Sequence, residues 1–206
     1  MWIKVGDCMK KNSNQRTTKI AIVIAILIVA VTGYYCYLVN RPREAEKEKE
    51  LTVVDEVLLR NLVHDYPPTV KEVVKYHNEI NKCLYNEEVE KETFEKLLKR
   101  DRELYDNALL AHNEWDTQSI NLLAEVTAFK KANRKLTGTS VGASTDVVYF
   151  EKNGYSFAKI PCNYTVLTGT DSVTTMHIYL LRKDNTGHWR IYGWDIADNL
   201  DVGQEG

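Results

Sequence analysis

The sequence predicts an α+β protein: an N-terminal transmembrane helix, then about four helices packed on a C-terminal antiparallel four-stranded meander. Three patterns carry that expectation. The twenty residues from Ile20 to Val39 contain no charge. Between residues 51 and 131 apolar side chains recur every three or four positions, and from 147 to 195 they alternate with a period of two.

The totals suit this reading. The chain has 206 residues, 44% apolar and 27% charged, enough for one anchor and one ordinary domain with its own core. Of 27 Lys/Arg and 29 Asp/Glu, five bases and one acid fall before residue 20, leaving 22 against 28 and a net of −6 from Ile20 onward. A domain of that sign has no general attraction for phosphate backbones, which argues against nucleic-acid binding.

A twenty-residue helix spans about 30 Å, the thickness of the hydrocarbon layer, so Ile20–Val39 is expected to insert in the lipid bilayer. Tyr34, Tyr35 and Tyr37 gather at one end, where amphipathic rings favour the interface, and Lys19 and Arg41 close the two ends. The apolar run is longer than that of a cleaved signal, and Cys36 follows Tyr35 rather than a small residue, so the anchor is read as uncleaved. Five Lys/Arg precede the span and four follow closely (Arg41, Arg43, Lys47, Lys49). The short basic tail then favours an extracytoplasmic C-terminal domain. Met9-Lys10-Lys11 also reads as an alternative start, with residues 1–8 an over-extended beginning. The expected organisation is a cytoplasmic basic tail (1–19), the membrane helix (20–39), a charged stalk (40–50), the α+β domain (51–198) and a disordered tail (199–206).

Within the domain, Leu51, Val54, Leu58 and Leu62 mark a first helix that Pro67-Pro68 ends. Thr69-x-x-Glu72 fits a capping box opening a second, with Val70, Val73, Val74, His77, Ile80 and Leu84 on one face. A third is expected from about Glu90 to His112, with Phe94, Leu97, Leu98, Tyr105 and Leu109 inward. A fourth follows Trp115-Asp116-Thr117, its buried side marked by Ile120, Leu123, Val126 and Phe129. Residues 136–144 read as a Gly/Ser/Thr-rich connection. The strands are then 147–152, 155–168, 173–183 and 188–195, with Asn153-Gly154 the strongest hairpin signal and Pro161 marking an edge or bulge.

The helices-then-sheet order, and the final strands Met176–Asp184 and Gly187–Asp195 with their Leu-Arg-Lys, turn, Gly-x-Trp-Arg-Ile wording, resemble the NTF2-like (cystatin-like) superfamily. The whole layout is similar to uncharacterised single-pass proteins of Gram-positive bacteria. The resemblance implies a helix-covered curved sheet. Members include ketosteroid isomerases, which use an Asp base with Tyr donors, and scaffold proteins of secretion and conjugation machines, which place such a domain behind one N-terminal helix. No Tyr/Asp motif of the isomerases matches residue by residue, so no catalytic residue is carried over.

The residues themselves offer modest chemistry. His64-Asp65 sits at a helix end, but adjacent helical side chains diverge by about 100°, so the spacing makes no dyad. His177, Tyr179, Tyr192, Trp194 and Asp195 are the ligand-binding candidates, on strands expected to form the concave sheet. Strict alternation puts Trp189, Ile191, Gly193 and Asp195 on one face and Arg190, Tyr192 and Trp194 on the other. Tyr192 and Trp194 read more simply as packing on the helices. Five histidines and four cysteines show no metal-ligand spacing, no phosphate loop is present, and no cofactor is expected. Cys83 and Cys162 either pair or remain buried thiols. The expected function is a non-enzymatic, membrane-anchored module that binds an unknown protein or small molecule, or scaffolds an assembly. A subunit of a larger envelope machine, with a possible homo-oligomer, and an enzyme of isomerase or hydrolase type stand behind it.

Overall fold

A computed structural model describes residues 27–36 and 51–197 of the chain, which divides into two units, residues 1–50 and 51–206. In the first unit residues 27–36 form helix α1, with Leu27, Ile28, Val29, Val31, Tyr34 and Tyr35 all exposed. The Thr32 hydroxyl bonds back to the Ile28 carbonyl (2.7 Å). Among the described residues no helix is long and apolar enough to cross a membrane. The outer parts of the expected span Ile20–Val39, the basic tail, the stalk and the tail 199–206 lie outside the described residues.

In the second unit helices pack on one antiparallel sheet. Helix α2 (Val53–Leu59) starts at a capping box that the sequence reading overlooked: Thr52 and Asp55 each accept the other's backbone N–H at 3.1 Å. It stops earlier than expected, because Asn61 turns the chain, its side chain accepting from Val63 N–H and its carbonyl from Asp65 N–H. At Thr69 only half of the expected capping box forms: the hydroxyl accepts from Glu72 N–H, but the Glu72 carboxylate pairs with Lys75 instead of reaching back to the Thr69 N–H. It opens α3 (Val70–Asn86), the central helix, whose stripe Val70, Val73, Val74, His77, Ile80 and Leu84 is buried as read.

The expected third helix is two. Helix α4 (Lys91–Arg102) ends and α5 (Asn107–His112) begins after a short turn. The break lets backbone at residues 104–106 pair with the last strand: Ile191 N–H donates to Leu104 O and Asp106 N–H to Ile191 O, both at 2.8 Å. Asp106 then caps α5, and Arg182 grips its carboxylate at 2.8 and 2.5 Å. Helix α6 (Trp115–Lys131) also departs from expectation. Only Val126 is buried, Phe129 is half-buried, and Ile120 and Leu123 are 67% and 40% exposed.

The sheet has five strands, not four. The Gly/Ser/Thr-rich stretch read as a connection is strand β1 (Arg134–Val141), reached through Asn133 at φ 51. Its β-branched residues pair with the far half of β3, which the near-continuous polar composition concealed. Strands β2 (Val148–Lys152), β3 (Tyr155–Thr168), β4 (Asp171–Lys183) and β5 (Trp189–Ile196) complete it, in the order β1-β3-β4-β5 with β2 also on β3. β1 and β2 share one edge of β3, and Pro161 sits in the gap between them. Its carbonyl takes Gly142 N–H (2.9 Å), and its missing donor faces the interruption rather than a ladder partner. Asn153 and Gly154 adopt φ 53 and 77, the left-handed pair that a two-residue hairpin needs. The core forms where α3 and α4 meet Ala158, Ile160, Cys162, Tyr179, Leu181 and Ile191.

Candidate functional site

Two polar residues occupy core stripes. His77 falls in the α3 stripe between Val74 and Ile80, and Asp101 falls in the α4 stripe after Phe94, Leu97 and Leu98. Both are buried, at 2% exposure. A charge in the core demands partners, and they are present. His77 Nδ1–H donates to Asp101 Oδ1 at 2.6 Å, the Tyr105 hydroxyl donates to Asp101 Oδ2 at 2.6 Å, and Asn81 Nδ2 donates to His77 Nε2 at 2.9 Å. The Asn81 contact selects the tautomer, since an accepting Nε2 leaves the proton on Nδ1.

Aromatic rings from the sheet close around this pair. Tyr179 lies edge-on to His77 at 5.5 Å, Trp194 packs at 5.4 Å, and Tyr179 stacks on Trp194 at 5.6 Å and 24°. Burial, then the Asp101 charge, pushes the Tyr105 phenol well above its ordinary range. Burial likewise raises Tyr179, whose hydroxyl bonds that of Tyr164. The Tyr164 hydroxyl also donates to Asn78 Oδ1, and Asn78 Nδ2 reaches the Cys162 thiol at 3.2 Å. His77, Asp101, Tyr105, Tyr164, Tyr179 and Asn78 thus form a polar cluster bonded within itself on the helix side of the sheet. A His–Asp pair can exchange a proton, but here both imidazole nitrogens are already engaged.

Of the sequence candidates, the structure brings His177, Tyr179 and Trp194 to this face. His177 lies 4.9 Å from the Tyr164 ring, and its buried Nδ1 has no hydrogen-bond partner among the described residues. Burial pushes its imidazole down, against the opposing pull of Asp195. Tyr192 and Asp195 are not brought there, and the expected alternation of β5 is wrong. The register runs Leu180 to Gly193 and then Leu181 to Ile191, so Tyr192 is the extra residue of a β-bulge. The bulge returns Trp194 to the face of Ile191. It sends Tyr192 to the opposite face, against Phe157 (5.6 Å) and under Arg182 (5.2 Å). Tyr192 therefore does not pack on the helices as expected. Asp195, on the face away from Trp194, is exposed, and its carboxylate accepts Ile196 N–H at 2.7 Å.

His64 is exposed, and Asp65 pairs with Arg60 at 3.1 Å rather than with a histidine. Cys83 and Cys162 are both buried free thiols, the first pushed up to about 11 by burial. Among the described residues no group of three or more His, Cys, Asp or Glu could hold a metal ion. Asp101 was missed by sequence reasoning. Its signal was a carboxylate on the apolar stripe of Phe94, Leu97, Leu98 and Tyr105. A separate open cleft of about 270 Å³ lies beside α6, lined among others by Val89, Phe94, Leu123, Thr127 and Lys131.

A family model described as Domain of unknown function (DUF6715) matches residues 9–194, most of the chain. No curated protein matches it.

Proposed function

We propose that the chain, which belongs to the DUF6715 family of domains of unknown function, is a single-pass membrane protein whose NTF2-like domain binds or scaffolds through its outer surface. The observation that carries this reading is the self-engaged polar cluster on the helix side of the sheet. His77, Asp101, Tyr164 and Tyr179 use their hydrogen-bonding groups on one another and on Asn78, Asn81 and Tyr105, and the ring of Trp194, itself 41% exposed, packs on His77 and Tyr179. A domain whose buried polar groups are engaged with one another in this way has its exterior left for recognition. The uncharged run Ile20–Val39, which contains α1, supports the anchor, and the basic tail before it supports an extracytoplasmic domain. A subunit of an envelope assembly is one form of this module.

An isomerase- or hydrolase-type enzyme is the second reading, favoured by the His77–Asp101 bond alone. It requires a substrate to displace Asn81 from His77 Nε2 and to pass Trp194.

The test uses the full chain in its native membrane. Resistance to carbonate extraction and protease access to residues 51–197 from the outer side check anchor and topology. A photo-crosslinking amino acid placed in turn at Ile120, Tyr149 and His177 then reports occupancy. Protein adducts at Ile120 or Tyr149 support the module; small-molecule adducts confined to His177 overturn it.

A further inference from the structure

Helix α6 carries apolar residues on two faces. Leu122, Val126 and Phe129 turn inward and are buried or half-buried. On the outside, Asp116, Ile120, Leu123, Ala124, Thr127 and Lys131 follow one another at helical spacing, and every one of them is exposed. Ile120 at 67% exposure and Leu123 at 40% stand side by side on this face, and the stripe is continuous with the cleft that Leu123 and Thr127 line.

The order of this stripe is self-complementary. Its midpoint falls between Leu123 and Ala124. Reversing the helix about that midpoint sets Ile120 against Thr127 and Asp116 against Lys131. The small side chains Ala124 and Thr127 permit close approach, and the stripe carries an acid at one end and a base at the other. Such a pattern is what a two-fold, antiparallel helix pair demands, because residue i must fit residue j while j fits i. The cleft beside Thr127, with Val89 and Phe94 in its lining, supplies the hole for the partner's Ile120. We propose that α6 is a homodimer interface in which two copies of this chain pair antiparallel, Ile120 of each inserting beside Thr127 of the other. The inference rests on the module reading and names its first partner as a second copy. One helix pair is a small interface, so association is weak in solution and is strengthened by confinement of anchored chains to one membrane plane.

The experiment uses the full chain in native membranes, in a Cys8→Ser/Cys36→Ser background that removes the cysteines of the first unit. Ala124→Cys, next to the two-fold axis, is expected to give a covalent dimer on mild oxidation. Asn121→Cys, exposed but turned about 100° from Ile120, is expected to give at least tenfold less. In the Ala124→Cys chain, Asp116→Lys alone, Lys131→Glu alone and Ile120→Asp each reduce the dimer at least tenfold. Asp116→Lys with Lys131→Glu restores it, because the reversed charges meet again across the axis. Circular dichroism of each variant confirms that the helix is intact. Equal crosslinking at 121 and 124, or failure of the double reversal to restore the dimer in a folded chain, overturns the inference. If the photo-crosslinker at Ile120 or Tyr149 still captures other proteins in that case, the module reading stands without the dimer. If adducts are confined to His177, the module reading falls by itself.

Discussion

Asp101→Leu removes the carboxylate on which the buried polar cluster converges. Two donors lose their acceptor at once, the His77 Nδ1–H and the Tyr105 hydroxyl, both bonded to Asp101 at 2.6 Å. The side chains of His77 and Asp101 are only 2% and 3% exposed, so water does not replace the lost bonds. Leaving two buried donors without an acceptor costs about 1–3 kcal/mol each, about 2–6 kcal/mol together, a large part of the roughly 5–15 kcal/mol that holds a domain folded. At about 2–4 °C per kcal/mol, the melting temperature falls by about 4–24 °C. His77→Leu has a comparable cost, since it leaves the carboxylate with Tyr105 alone. The double variant His77→Leu/Asp101→Leu removes both polar partners together, so its cost falls short of the sum of the singles by at least about 2 kcal/mol. Urea unfolding of the full chain in mild detergent, followed by tryptophan fluorescence, gives all three values. Trp194 stands against His77 and reports the cluster directly. A cost for Asp101→Leu below about 1 kcal/mol, or additive singles, refutes the argument that this pair organises the core.

Other outcomes follow from the same geometry. Asn86→Ala deletes both bonds by which its side chain holds Leu136 N–H and C=O (2.9 and 2.8 Å). It is expected to cost about 1–3 kcal/mol and to speed hydrogen exchange at the β1 amides; unchanged exchange contradicts the tie between α3 and β1. Gly154→Val forces a β-branched residue to φ 77 and costs about 1–2 kcal/mol in thermal unfolding, whereas Asn153→Gly is close to neutral. His177 titrates lower in the fold than its ordinary 6.5 because burial disfavours the cation. Below pH 6.5 the unfolded chain therefore binds more protons than the folded one, and stability falls with pH until the lowered folded pKa is passed. His177→Phe flattens that part of the stability–pH curve; an unaltered slope refutes the assignment.

Much of the fold is legible in the residues. The α3 stripe, the Thr69 cap, the Asn153-Gly154 hairpin and the position of Pro161 at an interrupted ladder all follow from local spacing and backbone chemistry. The failures have tertiary causes. Residues 134–141 are polar and lack a period, and only the length of β3 makes them a strand. Helix α4 stops because residues 104–106 find hydrogen bonds on β5, a contact some 85 residues away in sequence that no local propensity announces. The α6 stripe was assigned inward because Ile120 and Leu123 are apolar, yet Leu122, Val126 and Phe129 are the residues that turn in. The site suffered from one inserted residue. Strict alternation separated Trp194 from Ile191, and the bulge at Tyr192 rejoined them. Asp101 was visible as a carboxylate among core leucines, but its partner His77 lies on a different helix, 24 residues earlier.

The proposed function turns on the internal engagement of the His77–Asp101 cluster, and the histidine side chains report it most directly. The full chain in detergent micelles, labelled with ¹⁵N only in histidine, is titrated with a soluble metabolite extract. The expected result is a single His77 tautomer with a slowly exchanging Nδ1–H, and resonances that do not move at any extract concentration. A saturable shift of the His77 signals, with loss of the Asn81 bond to Nε2, would contradict it and make the cluster a binding site.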